Sequence, residues 1–148
     1  MATALKPISQ TQAVITISEF SDIYWISIKG GRVSREKVKY NDGKKGIIQT
    51  LTGFIELESL TLTKSFDPSA DKAVITWINK QLESPTAFNV AIQPVKSDLA
   101  GSVFDGAGQI LYSNCQLGDH QLPEFDRNST GLAILEVEVI FNELPTYG

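Results

Sequence analysis

The sequence predicts a mainly β fold, in which two packed antiparallel sheets form a sandwich or barrel and one α-helix flanks them. Segments rich in β-branched and aromatic residues alternate polar and apolar side chains with a period of two, as strands with one buried face do. One central segment has helical spacing instead. The chain of 148 residues is also long enough for one core without disulfide or metal staples. We therefore expect a single domain over residues 1–148, with an N-terminal arm at 1–11.

Eight segments have the composition of strands. They are QAVITIS from residue 12, DIYWISIK from 22, GRVSREKVKY from 31, KGIIQTLT from 45, FIELESLTLTK from 54, AFNVAIQPVKS from 87, GQILYSNCQLG from 108 and LAILEVEVIFN from 132. In the last segment Glu136 and Glu138 alternate with apolar residues, so one face of this strand is expected to be buried and the other exposed to solvent. The segment from 54 changes its apolar phase before Leu60, which predicts a bulge or a change of environment midway.

The helix is expected at about residues 68–83. Asp67 can cap its first amides, Pro68 suits the first helical position, and Ser84-Pro85 ends the segment. Apolar residues recur at helical spacing on one side and charged residues on the other. The apolar side consists of Ala70, Ala73, Val74, Trp77, Ile78 and Leu82, and the outer side of Asp71, Lys72, Asn79, Lys80 and Glu83. The residues predicted to pack the helix on a sheet are Val74, Trp77 and Ile78.

A basic stretch, KGGRVSREKVKYNDGKKG at residues 29–46, is the strongest charge feature. It holds seven of the thirteen Lys and Arg residues but two of the seventeen acids, so it carries +5 while the rest of the chain carries −9. The turn YNDGKK at 40–45 predicts a protruding hairpin over about 29–50. Neither face of its first arm is apolar enough to cover a core, so the hairpin needs a partner. The basic residues predicted to make its contacts between subunits or rings are Arg32, Arg35, Lys37, Lys39, Lys44 and Lys45.

The partner of this hairpin is predicted to be protein. A net charge of −4 argues against a general affinity for nucleic acid, which requires a positive field. Tyr40 is the one aromatic residue of the hairpin, whereas stacking platforms for single strands need several. The acidic remainder of this same chain offers a complementary surface. We therefore predict self-association, in which the basic hairpin of one subunit docks on the next and forms rings or filaments.

The sequence contains no pattern typical of an enzyme, and no catalytic residue, metal or cofactor is expected. The single histidine, His120, lies in GDHQLPEFD without the ligands of a metal site or the positioned Ser or Cys of a nucleophile–base pair. It is the only plausible centre if the chain is an enzyme. Carboxylates on strands are better explained as a solvated face than as an acid–base pair.

Cellular context is indicated by three features. The one cysteine, Cys115, forms no intramolecular disulfide, which fits a reducing compartment, and it is predicted to be a buried thiol within a strand. The segment MATALKPISQ lacks the features of a signal peptide, and no apolar run approaches the roughly 20 residues of a membrane span. Export by a signal peptide and a membrane location are therefore not expected.

The order of these segments resembles the tail tube proteins of contractile-tailed bacteriophages. That family shares its fold with the inner tubes of contractile injection systems and type VI secretion systems. The similarity covers about residues 12–142. It rests on SDIYWISIKGG, the charged extension through NDGKK, the strand and Asp-Pro-started helix in FIELESLTLTKSFDPSADKAVITWI, and the closing stretch LYSNCQLGDHQLPEFDRNSTGLAILEVEVIF.

The resemblance implies a structural virion protein, the major tail tube subunit, which forms stacked hexameric rings inside a contractile sheath. By position, residues 29–50 are the element that reaches a neighbouring ring. The implied partners are further copies of the chain, the sheath, baseplate and tail terminator proteins, and genomic DNA that passes the lumen without sequence recognition. The implied location is the virion tail, after assembly in the host cytoplasm. The candidates for an acidic lumen lining are Glu56, Glu58, Glu136 and Glu138.

Two alternatives remain open at this point. The chain resembles equally the effector-conducting tube of an injection or secretion system, and neighbouring genes for a capsid and terminase distinguish the two. A monomeric β-sandwich module that binds sugars or proteins is the alternative of another class. Microscopy separates it, because such a module gives small particles rather than rings or tubes.

Overall fold

The computed structural model describes residues 12–41, 43, 48–96 and 108–148. Over these residues the chain forms ten strands and one helix in two antiparallel sheets, which confirms the predicted mainly β fold. The elements are β1 (Ala13–Ile17), β2 (Phe20–Trp25), β3 (Ser27–Gly30), β4 (Val33–Asn41), β5 (Ile48–Leu57), β6 (Leu60–Ser65), α1 (Lys72–Glu83), β7 (Phe88–Pro94), β8 (Ile110–Gln121), β9 (Ile134–Phe141) and β10 (Thr146–Tyr147).

The larger sheet curls back towards itself. Its strand order is β2-β1-β7-β8-β9-β6-β3, and β10 pairs with β8. The two end strands, β2 and β3, are consecutive in the chain and are separated by Ile26 alone. The Ile26 N–H donates to the Thr63 carbonyl at 2.8 Å. At this residue the chain stops pairing with β1 and begins to pair with β6. The single strand predicted from residue 22 was therefore wrong, because the strand changes its pairing partner at Ile26.

The concave side of this sheet holds the core. Leu62 lies opposite Val137 and Leu60 opposite Val139, so the apolar faces of β6 and β9 coincide. Each fully buried aliphatic side chain stabilises the fold by about 1.5–3 kcal/mol. The buried apolar residues are Ile15, Ile17, Trp25, Leu60, Leu62, Val74, Trp77, Ile78, Phe88, Val90, Cys115, Leu135, Val137, Val139 and Phe141.

Helix α1 packs against this core through Trp77. The Trp77 ring meets Phe20 and Phe88 edge-on, with ring centroids 5.6 and 5.0 Å apart. Val74 and Ile78 are buried beside it. No helix in the described parts of the chain is long and apolar enough to span a membrane.

The helix begins at Lys72, four residues later than predicted. The intervening residues form a turn, which is closed by a hydrogen bond of 2.8 Å from the Asp71 N–H to the Asp67 carbonyl. The Asp67 carboxylate accepts a hydrogen bond from the Ser69 N–H at 3.0 Å. Asp67 thus caps this turn rather than the first turn of α1.

Asp71 was predicted on the outer side of the helix and is instead fully buried. The Lys64 Nζ donates to both of its carboxylate oxygens, at 2.5 and 2.6 Å, so the buried charge is neutralised. On the predicted apolar side, Ala70, Ala73 and Leu82 are exposed. The helix buries Gln81 in their place, and its side-chain amide exchanges two hydrogen bonds with Thr86, at 2.7 and 2.9 Å.

Candidate assembly surfaces

The hairpin is a continuation of the β3–β6 pair beyond the edge of the larger sheet. Strand β4 follows β3 in the chain, and β5 precedes β6. The β4–β5 pair therefore extends the β3–β6 pair. Two backbone hydrogen bonds cross the junction: the Gly31 N–H donates to the Ser59 carbonyl at 3.3 Å, and the Glu58 N–H to the Arg32 carbonyl at 2.9 Å. The change of environment predicted within the segment from 54 is this junction.

Two glycines make the junction possible. Gly30 has φ +84°, and a Cβ on it would lie 2.3 Å from the Ser59 carbonyl oxygen. Gly31 has φ +77°, and its Cβ would lie 2.7 Å from Leu60 Cδ2. The left-handed backbone and the close approach both require residues without a side chain. Gly30 and Gly31 therefore set the direction in which the hairpin leaves the sheet.

Strands β4 and β5 pair with each other alone among the described residues, which confirms the predicted protruding hairpin. The hairpin ends at Leu57, seven residues beyond the predicted limit of 50. Its register shifts between Arg35, opposite Ile55, and Lys37, opposite Thr52. Two residues of β5 therefore face Glu36 there, and a bulge bends the hairpin.

The two faces of the hairpin differ in charge. Directly opposed residues share a face, so the register defines one face with basic side chains, the basic face, and an opposite face with acidic ones. The basic face carries Val33, Arg35, Lys37, Lys39, Asn41, Ile48, Thr50, Thr52, Ile55 and Leu57. The opposite face carries the acids Glu36 and Glu56 together with Val38, Tyr40 and Leu51.

Of the six basic residues predicted to act in the hairpin, three lie exposed on the basic face. Arg32 is also exposed and lies at the junction. Lys44 and Lys45 fall outside the described residues. The structure thus brings Arg35, Lys37 and Lys39 together on one surface, as strand alternation requires.

Large apolar side chains of the hairpin are open to solvent. Phe54 is 85% exposed and Ile48 is 66% exposed, although a two-stranded ribbon without a partner is only marginally stable. Monomeric proteins rarely expose apolar groups so densely. Among the described residues of the hairpin, the exposed large apolar side chains are Val33, Val38, Tyr40, Ile48, Leu51, Phe54 and Ile55. Exposed apolar groups of this density are typical of a surface that another molecule covers.

The convex side of the larger sheet carries an acidic face, which consists of Asp119, Glu136 and Glu138. Glu136 lies opposite Thr63 and Glu138 opposite Thr61, away from the core. These acids line a shallow cavity of about 280 Å³ with His120 and Gln121. The absence of a side chain at Gly118 makes room for the Glu138 carboxylate, because a Cβ there would lie 2.4 Å from its Oε1.

The four glutamates predicted for a lumen lining do not form one surface. Glu136 and Glu138 share the acidic face. Glu56 lies on the hairpin, opposite Ser34, and Glu58 lies at the junction. Asp119 joins the acidic face but was not predicted, because a register shift between Leu117 and His120 turns it outward.

A groove of about 480 Å³ lies beside the acidic face, between the sheet and the loop that precedes β9. We call it the end groove, and it is lined by Lys29, Thr63, Gln121, Leu122, Glu124, Leu132, Ile134 and Glu136. Its apolar lining residues are Leu122, Leu132, which is 79% exposed, and Ile134, and its acids are Glu124 and Glu136. This groove was not predicted, although the apolar residues Leu122, Leu132 and Ile134 within an otherwise polar stretch are a signal for it in the sequence.

His120 lines the same shallow cavity as Asp119, Glu136 and Glu138. Within the described ranges, no group of three His, Cys, Asp or Glu side chains could hold a metal ion. The Cys115 thiol is buried, as predicted. Burial raises its pKa to about 11, so the nucleophilic thiolate is scarce at neutral pH. Burial also raises the pKa of Tyr112, and the charge of Cys115 adds to this.

Solved structures of contractile injection systems share this fold. The chain superposes on a chain of the sheath–tube complex of the extracellular contractile injection system PVC in its extended state, with a TM-score of 0.79 and 22% identity over 96% of this chain and 91% of that one. The anti-feeding prophage cap, described as the AFP tube terminating cap, gives a TM-score of 0.77 and 22% identity over 100% and 95%.

A third structure, the anti-feeding prophage baseplate in its 6-fold symmetrised form, gives a TM-score of 0.72 at 14% identity over 97% of both chains. No protein-family model matches the sequence. No curated protein sequence matches it with significance. The resemblance of fold stated from the sequence is confirmed over nearly the whole chain: the protein has the fold of the tube and cap proteins of contractile injection systems.

Proposed function

We propose that the chain is the major tail tube subunit of a contractile tail, a structural protein that forms stacked hexameric rings. The observation that carries this proposal is the protruding hairpin, whose two strands form a separate sheet in the described part of the chain and whose apolar and basic side chains are exposed. A hairpin of this kind gains stability when a second copy covers it. The fold shared with tube and cap proteins supports the same assembly.

The proposed partners follow from the assembly. The chain binds further copies of itself within and between rings, a sheath around the tube, a baseplate at one end and a terminator at the other. The similar structures include a sheath–tube complex, a terminating cap and a 6-fold symmetrised baseplate, which supports these partners and a six-fold ring. The proposed location is the tail of a virion, after assembly in the host cytoplasm.

The proposed cargo of the tube is phage DNA. Asp119, Glu136 and Glu138 line one cavity, and no Lys or Arg is among the described residues that line it. A negative wall repels phosphate, so DNA would pass without being held and without sequence recognition. We propose that this acidic face lines the lumen. A density map of the assembled tube with Glu136 and Glu138 outside the channel would contradict that assignment.

The second candidate function is the tube of an effector-injecting system. It is favoured by the source of the similar structures, which belong to an extracellular contractile injection system and to the anti-feeding prophage. Capsid and terminase genes beside the gene for this chain would favour the phage, and their absence with effector genes present would favour injection. A terminating cap would form single rings rather than long tubes.

Negative-stain microscopy of the purified chain tests the proposed function. Rings and tubes at micromolar protein concentration are the expected result. Sedimentation of the same sample gives the mass of the particles, for comparison with the 16.2 kDa of one chain. A monodisperse species of that mass at all concentrations would instead support the monomeric β-sandwich module.

A further inference from the structure

We propose that residues 142–148, which we call the strap, protect an edge of β8 from pairing with an extended segment of another chain. The strap follows β9 and contains β10. The edge that it covers is the first part of β8, residues 110–114. This inference concerns a contact that the subunit avoids, so it goes beyond the proposed function and does not depend on it.

Strand β8 extends past the end of its neighbour β9. The pairing of these two strands ends at Cys115, which lies opposite Phe141, the last residue of β9. Residues 110–114 therefore lie beyond β9, while β7 pairs with them on the other side. Without a further partner, their backbone N–H and C=O groups would form an open edge, onto which another strand can add.

The composition of this edge is that of an aggregation-prone strand. The edge has the sequence ILYSN, and residues 106–118 contain no charged residue and no proline. Segments with high β propensity, low charge and no proline pair readily with like segments of other chains. Native sheets protect their edges with charged residues, with prolines or with a covering segment. Since charge and proline are absent here, a covering segment has to supply the protection.

The strap covers this edge through its backbone. Strand β10 pairs antiparallel with Ile110 and Leu111. Next to this pair, the Gln109 N–H donates to the Gly148 carbonyl at 2.9 Å, and the Gly148 N–H donates to the Gln109 carbonyl at 3.3 Å. The strap thus occupies the hydrogen-bonding positions that a strand of another chain would use.

Two side-chain contacts hold the strap in place. The Asn114 Nδ2 donates to Glu143 Oε1 at 2.5 Å, and the Gly108 N–H donates to the Tyr147 hydroxyl at 3.3 Å. Asn114 has φ +53°, a left-handed conformation that asparagine adopts more readily than most residues. It lies at the register shift between β7 and β8. Such a bulge re-aims a side chain, and here the side chain reaches the strap.

The strap packs closely on β8 without contributing to the core. A Cβ on Gly108 would lie 2.9 Å from Tyr147 Cε1 and 3.2 Å from the Gly148 backbone nitrogen, so a larger residue there would displace the strap. All residues of 142–148 are described, and none of them is buried. The strap therefore covers a hydrogen-bonding edge rather than apolar core surface, and the fold should survive its removal.

Removal of the strap tests this role. A variant that ends at Asn142 should remain folded by circular dichroism. Below the concentration at which tubes form, it should give thioflavin T-positive aggregates at least about tenfold faster than the unmodified chain, because the β8 edge is open.

A lysine on the open edge should reverse this effect. Gln109→Lys in the shortened chain should bring the aggregation rate back to within about twofold of the unmodified chain, because a charged edge residue opposes strand addition. Gln116→Lys in the shortened chain is the matched control. It adds the same charge to β8, but at a position that is already paired with Ile140, so aggregation should stay fast.

Hydrogen exchange in the full chain gives a second readout. Glu143→Ala removes the acceptor of the Asn114 side chain, so the strap should open more often and the Gln109 N–H should exchange roughly fivefold faster. Glu124→Ala removes an exposed carboxylate outside the strap and should leave this exchange rate unchanged.

The outcomes decide the proposal without reference to tube formation. An unfolded shortened variant would show that the strap belongs to the core, and a folded one that aggregates no faster than the unmodified chain would show that the edge needs no protection. Equal rescue by Gln109→Lys and Gln116→Lys would show that net charge, not the edge, controls aggregation. Each of these results would overturn the proposal, as would unchanged exchange at Gln109 in Glu143→Ala.

Discussion

The Lys64 Nζ donates hydrogen bonds to both carboxylate oxygens of Asp71, at 2.5 and 2.6 Å, with both side chains buried. The same ammonium donates to the Ser65 carbonyl at 3.0 Å, and Asp71 Oδ2 accepts from the Asp67 N–H at 2.8 Å. This ion pair ties the end of β6 to the turn before α1. It is the one ion pair identified in the described residues.

Removal of one partner should destabilise the fold more than removal of both. Asp71→Ala leaves the buried Lys64 charge without a counterion, at a cost of about 3–5 kcal/mol in the free energy of unfolding. The double variant K64M/D71A should recover part of this loss, because no buried charge remains. Denaturant melts of the unassembled protein measure both. A double variant that is as unstable as the sum of the two single variants would show that the pair has no coupling.

The substitution Gly30→Ala should destabilise the fold and change the direction in which the hairpin leaves the sheet. A positive φ and a contact of 2.3 Å with the Ser59 carbonyl should lower the free energy of unfolding by about 3 kcal/mol. Gly43→Ala is the matched control: φ is +74° there, and no atom of the described residues lies within 4 Å of the added Cβ, so about 1 kcal/mol is expected. Thermal or denaturant melts compare the two. Equal losses would show that the close approach at Ser59 has no energetic consequence.

Charge reversal at Arg35, Lys37 and Lys39 together should impair ring stacking and leave the subunit folded. These side chains are exposed on a hairpin that pairs with no other strand in the described parts of the chain, so the change in stability should stay within about 0.5 kcal/mol. Tube length and pelleted fraction measure stacking, and a denaturant melt measures folding. Higher salt should weaken stacking of the unmodified chain, because it screens exposed charges. Tubes of unchanged length and yield would argue against a role for these charges.

Stability should fall as the pH rises from about 9 to about 11, through the titration of Cys115. Burial raises the pKa of this thiol, so the unfolded chain loses the proton at a lower pH than the folded chain does. The contribution is therefore complete below the ordinary pKa of 9.0 and is lost as the pH passes about 11. Cys115→Ala should remove this part of the slope, whereas the contribution of Tyr112, whose pKa is also raised, should remain. Identical slopes in both proteins would exclude Cys115 as the source.

Local patterns in the sequence predicted the structure correctly where one face of a strand packs against the core and the other does not. In β9, the alternation of Glu136 and Glu138 with apolar residues matches the observed burial. The hairpin was predictable for the opposite reason, because its first arm has too few apolar residues to be buried. Both features depend on neighbours in the sequence alone.

Features that depend on distant partners were missed. Lys64 occupies a buried position in β6. Its charge is tolerated there because the Asp71 carboxylate, in the turn before α1, forms an ion pair with it. The division of the predicted strand at Ile26 was missed, because the change of pairing partner there depends on β1 and β6, which are distant in the sequence. The end groove likewise combines β3, β6, β8, β9 and a loop, which no local pattern records.

A cryo-electron microscopy reconstruction of the assembled protein tests the central claim most directly, that the hairpin joins copies of this chain into a tube. The expected map shows stacked six-fold rings in which each hairpin is covered by another copy and Ile48 and Phe54 are no longer exposed. Rings or tubes in which the hairpins remain free in solvent, or a sample of dispersed single chains, would contradict the claim.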